Sequence, residues 1–327
     1  MKATAVLEQW RYKVPFRIAR GAFDEQHLLL CRYEDAGIVA QAEAEAAESD
    51  AGEARVQTDI AAALLQDGLP TAEVVAALPA GPVRNALDCL RWDIEAKRRG
   101  VRAWQVAGLE MDNETRVETV MTVTISAPDT MAAAAAALKG ASMLKVKLGS
   151  GDIAVDIDCA HAVATAAPGS ALLIDPNEGW SFADLRRFID ATRPLDIALF
   201  EQPLARTADA ALTDFRAPAP ICADEACTTR ASLPPLLGRY QAINIKLDKT
   251  GGLTEALLLL AEARRLGLGV MTGCNGGTSL AIAPAFLIAA GSDYVDIDGP
   301  LHLLEDRSHG MRFEGLSVSP PVAELWG

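Results

Sequence analysis

The rhythm of apolar positions along the 327-residue chain changes near residue 115. Before that point, "ATAVLEQWRYKV" and "HLLLCRYEDAGIVAQAEAE" alternate apolar and polar residues. They predict strands of a small antiparallel sheet, with "EDAG" as the hairpin turn. The stretches "ARVQTDIAAALLQD", "TAEVVAALPA" and "PVRNALDCLRWDIEAKRRG" follow the helical period instead. In the last of these Val83, Ala86, Leu87, Leu90 and Ile94 share one face, and Gly100 stops the helix. The expectation is an α+β capping domain over residues 1–115.

From residue 116 to 305, short apolar runs alternate with amphipathic stretches. The runs are "VETVMTVTI", "MLKVKL", "ALLID", "IALFE", "APICADE", "QAINIKLD", "LGVMTG" and "DYVDID". Eight strands, each followed by a helix or a chain return, predict an α/β fold of the (β/α)8 TIM-barrel type. A doubly wound open sheet shares the alternation. The count of eight and the polar residues at so many strand ends favour the barrel. The tail, residues 306–327, is expected to return to the capping domain.

Half of the residues are hydrophobic and the mean hydropathy is +0.14, enough for a large core. The formal charge of −14 leaves no basic stripe, which argues against nucleic acid and anionic membranes as partners. Six scattered cysteines without a CxxC pair, and four histidines without HExxH spacing, argue against a zinc site. The start lacks a signal-peptide core, and no apolar run reaches spanning length. These features predict a reduced, soluble, cytoplasmic protein; self-association into a homo-oligomer is compatible with them.

Functional groups of such barrels gather at the C-terminal ends of the strands. Asp175 ends strand three, Glu201 strand four and Asp224 strand five, each about one βα unit from the next. One such acid could merely cap the following turn. Three on adjacent strands would repel one another unless a cation lay between them, and hard oxygen ligands suit Mg²⁺. Asn177 and Glu225 stand beside them as supporting groups. Lys145 and Lys147 lie two apart on strand two, hence on one face, and Lys246 lies on strand six, diametrically opposite. Strand-end lysines can simply reach out to water. Three of them around a set of acids instead suit proton removal from one face of a carbon and delivery to the other. A divalent ion would stabilise the enediolate made by deprotonating a carbon next to a carboxylate. Lys147 is the expected base, with Lys145 lowering its proton affinity.

With "KVK", "DPNEGW", "FEQP", "ADE" and "NIKLDKTGGL" in this order, the chain resembles the enolase superfamily, in its muconate-lactonizing-enzyme subgroup. The resemblance covers nearly the whole chain. It implies Lys147 and Lys246 as a two-face lysine pair, and Asp175, Glu201 and Asp224 as Mg²⁺ ligands. "YVDIDGP" resembles the Asp-x-Asp element of dipeptide epimerases, so Asp296 and Asp298 would receive a substrate's ammonium; anionic muconate or succinylbenzoate would be repelled there. "FRIARGAFDEQH" resembles the mobile capping loop of L-Ala-D/L-Glu epimerases. It implies Arg20 as partner of a glutamate side chain, and Thr122 as a pocket residue. The resemblance implies epimerisation of a dipeptide's C-terminal residue, with L-Ala-D/L-Glu as first substrate, and a place in murein peptide recycling.

Other readings stay open at this point. They are N-acylamino acid racemase, o-succinylbenzoate synthase, cycloisomerase, or a catalytically silent binding protein on the same scaffold. The second capping loop, "QAEAEAAESDAGEA", departs from Ala-Glu enzymes: Glu43 matches a family glutamate, but Glu45, Glu48 and Asp50 could favour a cationic second residue, and a hydrophobic one is a further alternative. "TGCNGGTS" is read as leaving extra room at Asn275, Gly276 and Gly277, with Cys274 beside them.

Overall fold

The structure, a computed structural model, describes residues 1–48 and 50–327. It opens with an antiparallel sheet of β1 (Lys2–Ile18), β2 (Gly21–Asp35) and β3 (Ile38–Ala47). β2 and β3 meet at a two-residue turn in which Ala36 and Gly37 both have positive φ, 50° and 81°. That is the hairpin turn whose twist matches the strands it joins. Helices α1 (Ala51–Leu65), α2 (Ala72–Ala77), α3 (Pro82–Arg99) and α4 (Ala103–Val106) follow. α3 buries Val83, Ala86, Leu87, Leu90 and Ile94, and ends where Gly100 takes a φ of 66°.

The chain then enters an eight-stranded parallel sheet in sequence order: β5 (Met121–Val123), β6 (Met143–Lys147), β7 (Ala171–Asp175), β8 (Ile197–Glu201), β9 (Ile221–Ala223), β10 (Ala242–Ile245), β11 (Gly269–Gly273) and β12 (Tyr294–Asp296). Between the strands run α5 (Pro128–Ala137), α6 (Ile153–Ala166), α7 (Phe182–Ala191), α8 (Leu233–Leu236), α9 (Leu247–Thr250), α10 (Leu253–Arg265) and α11 (Ser279–Ala289), and α12 (Gly299–His302) follows the last strand. A 3-10 turn at Asp209–Leu212 replaces a helix after β8. β5 and β12 are joined by Val120 N donating to Val295 O at 2.8 Å.

The single first strand expected from "VETVMTVTI" is divided. Val117–Glu118 forms β4, which pairs with β14 (Ser317–Val318) of a small sheet completed by β13 (Phe313–Glu314). The switch falls at Thr119, whose N–H donates to Leu316 O at 2.9 Å while its Oγ1 accepts from Ile297 N at 2.9 Å. The end of the chain lies on α3: Trp326 Nε1 donates to Cys89 O at 3.1 Å and Gly327 N to Asp93 Oδ1 at 2.7 Å.

Strand parity sorts the barrel into two layers. Leu144, Val146, Leu172, Ile174, Phe200, Ile221, Ile243 and Ile245 belong to the large core between sheet and helices. Their alternates, Leu173, Leu199, Cys222, Ala242 and Met271, form a separate cluster inside the barrel, with Met143 and Tyr294 against it. Each inward residue is followed two positions later by another on the same face, nearer the C-terminal mouth. Those followers are Lys145 and then Lys147, Asp175, Glu201, Asp224, Asn244 and then Lys246, and Asp296. These candidate functional side chains, with Gly273 after Met271, form the next layer above an apolar plug.

Candidate active site at the barrel mouth

The mouth opens into a cavity of about 270 Å³, roofed by the capping domain through Tyr12, Phe16, Arg20, Phe23, Glu45 and Glu48. Lys145, Lys147, Asp224, Lys246, Asp296, Asp298 and Thr122 line it from the barrel side. All three lysines are buried, at 1% exposure for Lys145, 6% for Lys147 and 7% for Lys246. Reaching out to water is therefore excluded for them.

Lys145 Nζ lies 2.6 Å from Asp296 Oδ2, 2.7 Å from Glu201 Oε2 and 3.1 Å from Asp175 Oδ2. Lys147 Nζ donates to Asp175 Oδ2 at 2.6 Å and to Asn177 Oδ1 at 3.1 Å. Across the barrel, Lys246 Nζ donates to Asp224 Oδ2 at 2.7 Å. Burial alone would lower Lys145 and Lys246, but the surrounding carboxylates hold both above the ordinary lysine range. Burial would likewise raise Asp175 and Asp224; the lysines beside them keep both below the ordinary carboxylate range.

Two polar residues of this layer escaped the sequence reading. Lys249 reaches back from α9 to Asp224 Oδ1 and to Asn244 O at 3.0 Å, and Asn244 Nδ2 donates to Glu201 Oε1 at 2.7 Å. Asn244 was legible, since it precedes Lys246 by two on one strand. Lys249 was not, because only the turn of α9 brings it back over the mouth.

Among the described residues no three acidic, histidine or cysteine side chains close into a metal cage; ammonium groups stand among the acids instead. In donor chemistry Asp175, Glu201 and Asp224 nevertheless fit a divalent cation. All three are buried, and Glu201 Oε2, although close to Lys145, makes no hydrogen bond. Burial, then the charge of Asp175, pushes Glu201 up to about 8. Of the three, Glu201 is the one short of positive charge.

Asp296 and Asp298 both face the cavity, but with different partners. Asp296 is tied to Lys145, whereas Asp298 Oδ2 accepts from Thr122 N at 2.8 Å and lies 2.9 Å from His302 Nε2. Thr122 thus presents its backbone to Asp298 while lining the cavity. His302 was not anticipated; nothing in "GPLH" marks it beforehand.

The capping elements differ from expectation in three respects. Arg20 sits at the tip of the β1–β2 hairpin and is held by carboxylates of the chain itself: Glu48 at 2.6 Å and Glu225 at 2.7 Å. The second capping segment is strand β3 rather than loop as far as Ala47. Asp50 then caps α1, accepting from Gly52 N at 2.7 Å and Glu53 N at 3.1 Å, so of the acids beyond Glu43 only Glu45 and Glu48 line the cavity. Finally, Gly276 and Gly277 do not leave extra room. Gln26 fills it, donating to Asn275 O at 2.9 Å and accepting from Gly277 N at 2.6 Å, and a Cβ on Gly276 would lie 2.1 Å from Gln26 Nε2. Glu43 is fully buried below, bonded to Thr278 and Arg307. Burial, then Asp296 and Asp298, pushes the Cys274 thiol up to about 12, which suits no nucleophile.

Residues 1–108 match the mandelate racemase/muconate lactonizing enzyme N-terminal domain, and residues 129–315 match the enolase C-terminal domain-like family. An L-Ala-D/L-Glu epimerase of Escherichia coli K12 is 41% identical over 322 residues, 96% of this chain and 98% of that one. An N-acetyl-D-glutamate racemase of a Pseudoalteromonas species is 44% identical over 257 residues, 78% of this chain and 79% of that one. A crystal structure of an Agrobacterium tumefaciens enolase family member with homology to dipeptide epimerases, holding sodium and L-Ala-L-Glu, superposes with a TM-score of 0.92. It shares 40% identity and covers 99% of both chains.

Proposed function

This chain belongs to the mandelate racemase/muconate lactonizing enzyme family of enolase-like proteins, and from that premise we propose that it is a Mg²⁺-dependent dipeptide epimerase. It inverts the α-carbon of the C-terminal residue, with L-Ala-D/L-Glu as first substrate. The observation that carries this reading is the pair Lys147 and Lys246, buried at the ends of β6 and β10, four strands apart in an eight-stranded sheet. One lysine removes the α-proton from its side of the carbon, and the other delivers a proton to the opposite side. Asp175, Glu201 and Asp224 would hold the cation, which when bound supplies positive charge to the substrate carboxylate as negative charge develops. Lys145 orders the acids beneath the reacting carbon. Asn177 holds Lys147 in line, and Lys249 shares Asp224 with Lys246. Asp296 and Asp298 receive the substrate's ammonium, while Arg20 meets its side-chain carboxylate.

A second reading, racemisation of an N-acylated glutamate, is favoured by the Pseudoalteromonas relative. Both readings share the lysines and Arg20 and differ at the amino end. Purified protein with Mg²⁺ in D₂O, given L-Ala-L-Glu and N-acetyl-L-glutamate separately, distinguishes them by deuterium at the α-carbon. Exchange into the dipeptide, lost when Lys147 and Lys246 are both changed to Ala, supports the epimerase. Exchange into N-acetylglutamate alone replaces it with the racemase.

No helix among the described residues is long and apolar enough to cross a membrane. The family resemblance, rather than that absence, is the ground for proposing a cytoplasmic enzyme acting on small peptides released from murein.

A further inference from the structure

His302 ends α12 and shares Asp298 Oδ2 with the Thr122 amide, its Nε2 standing 2.9 Å away. Its side chain is 15% exposed, its ring meets Phe16 edge-on at 5.2 Å, and it borders the cavity beside Asp296 and Asp298. The other charged or titratable groups near it are Asp296, Lys13 of β1, which donates to Leu301 O at 2.9 Å, and Tyr12 of the same strand. The two carboxylates of the amino-end pocket are therefore unlike. Asp296 is held by Lys145, a charge shared with Glu201 and Asp175. Asp298 is held by an uncharged amide and by an imidazole, the side chain whose charge changes near neutrality.

We propose that His302 is a specificity-determining residue, competing with the substrate's free ammonium for Asp298 and so setting how far a dipeptide is preferred over an N-acylated amino acid. This rests on the epimerase reading. With His302 protonated, Asp298 already has a cation, and an incoming ammonium meets a second positive charge in a water-poor pocket. With His302 neutral, Asp298 offers its charge to the substrate. An acyl cap brings no charge and is indifferent to the change. Burial alone would lower His302, but Asp298 holds it above its ordinary value, and Asp298 itself stays ionised because His302 and Thr122 keep it low. Raising the pH through the histidine's titration therefore strengthens dipeptide binding, until the ammonium loses its own proton near pH ~8.

The test pairs L-Ala-L-Glu with N-propionyl-L-glutamate, which differs only in lacking the ammonium. KM and kcat for α-proton exchange into D₂O are measured between about pH 5.5 and 7.5 in the wild type, His302→Gln and His302→Phe. In the wild type, KM for L-Ala-L-Glu should fall by about three- to tenfold across that window while that of N-propionyl-L-glutamate stays level. In both variants the dipeptide KM should be low and level. A slope that persists in both variants, or one shared by the two substrates in the wild type, would overturn the inference. Should the variants fail to fold, the wild-type pair of slopes decides alone. Absence of exchange with either compound in the wild type would instead bring down the epimerase reading, and this inference with it.

Discussion

Asp298 Oδ2 accepts a hydrogen bond from Thr122 N at 2.8 Å, tying the end of the last barrel strand to the first. A group read from the sequence as a substrate contact thus also closes the fold. Asp298→Ala removes the acceptor of a buried amide and the partner of His302 together. Stability should fall by roughly 1–3 kcal/mol, along with affinity for a free ammonium. Urea unfolding and KM for L-Ala-L-Glu check the two effects separately; unchanged stability would mean the seam does not need Asp298.

The two lysines should be separable by stereochemistry. Lys147→Ala and Lys246→Ala should each lower epimerisation by about 10²–10⁴-fold. Each should still exchange the α-proton of one epimer, and the two variants should retain opposite epimers. Mass spectrometry of both dipeptide epimers in D₂O reads this directly. Retention of the same epimer by both variants would rule out a lysine on each face.

Arg20 meets Glu48 through both Nε and Nη2 as well as Glu225, so a substrate carboxylate has to compete with the chain's own. The Arg20 and Glu48 side chains are about two-fifths exposed, and the contact is correspondingly weak. Glu48→Gln should lower KM for a Glu dipeptide by about two- to fivefold without changing kcat. Arg20→Ala should raise it. If Glu48→Gln instead weakens Glu dipeptides and abolishes activity on Lys or Arg dipeptides, the pocket selects a cationic side chain.

Glu43 is completely buried and joins three parts of the chain: β3, Thr278 beyond β11, and Arg307 of the tail. Arg307→Ala would leave that carboxylate without its cation, and a loss of about 3–5 kcal/mol is expected. Glu43→Gln with Arg307→Ala should recover part of it. Thermal unfolding of the single and double variants measures the difference.

The His302–Asp298 pair also carries a pH signature in stability. His302 is raised in the folded state, so its contribution is fully present below its unfolded pKa of about 6.5 and is lost as pH rises through the folded value. The Tm difference between wild type and His302→Gln should be larger at about pH 5.5 than at about pH 8.5. A constant difference would mean that the imidazole acts by packing on Phe16 alone.

The sequence by itself determined the layers of this protein and which side chains gather at the barrel mouth. Asp298 faces the cavity from beyond β12, at the turn into α12, but period-two alternation put Lys145 with Lys147 on one face, and strand ends put Asp175, Glu201, Asp224 and Asp296 at one mouth. These are local consequences of strand geometry, so they can be read without knowing the fold in detail. Tertiary structure alone decided who partners whom. That Lys145 stands among three acids, that Glu48 occupies Arg20, that Gln26 fills the space over Gly276, and that His302 shares Asp298 are all contacts between distant segments. Their residue types carry no period, and their meaning comes from where the capping domain and the last turn come to rest on the barrel. The sheet switch at Thr119 belongs with them, because an apolar run cannot show which of two sheets offers its hydrogen bonds.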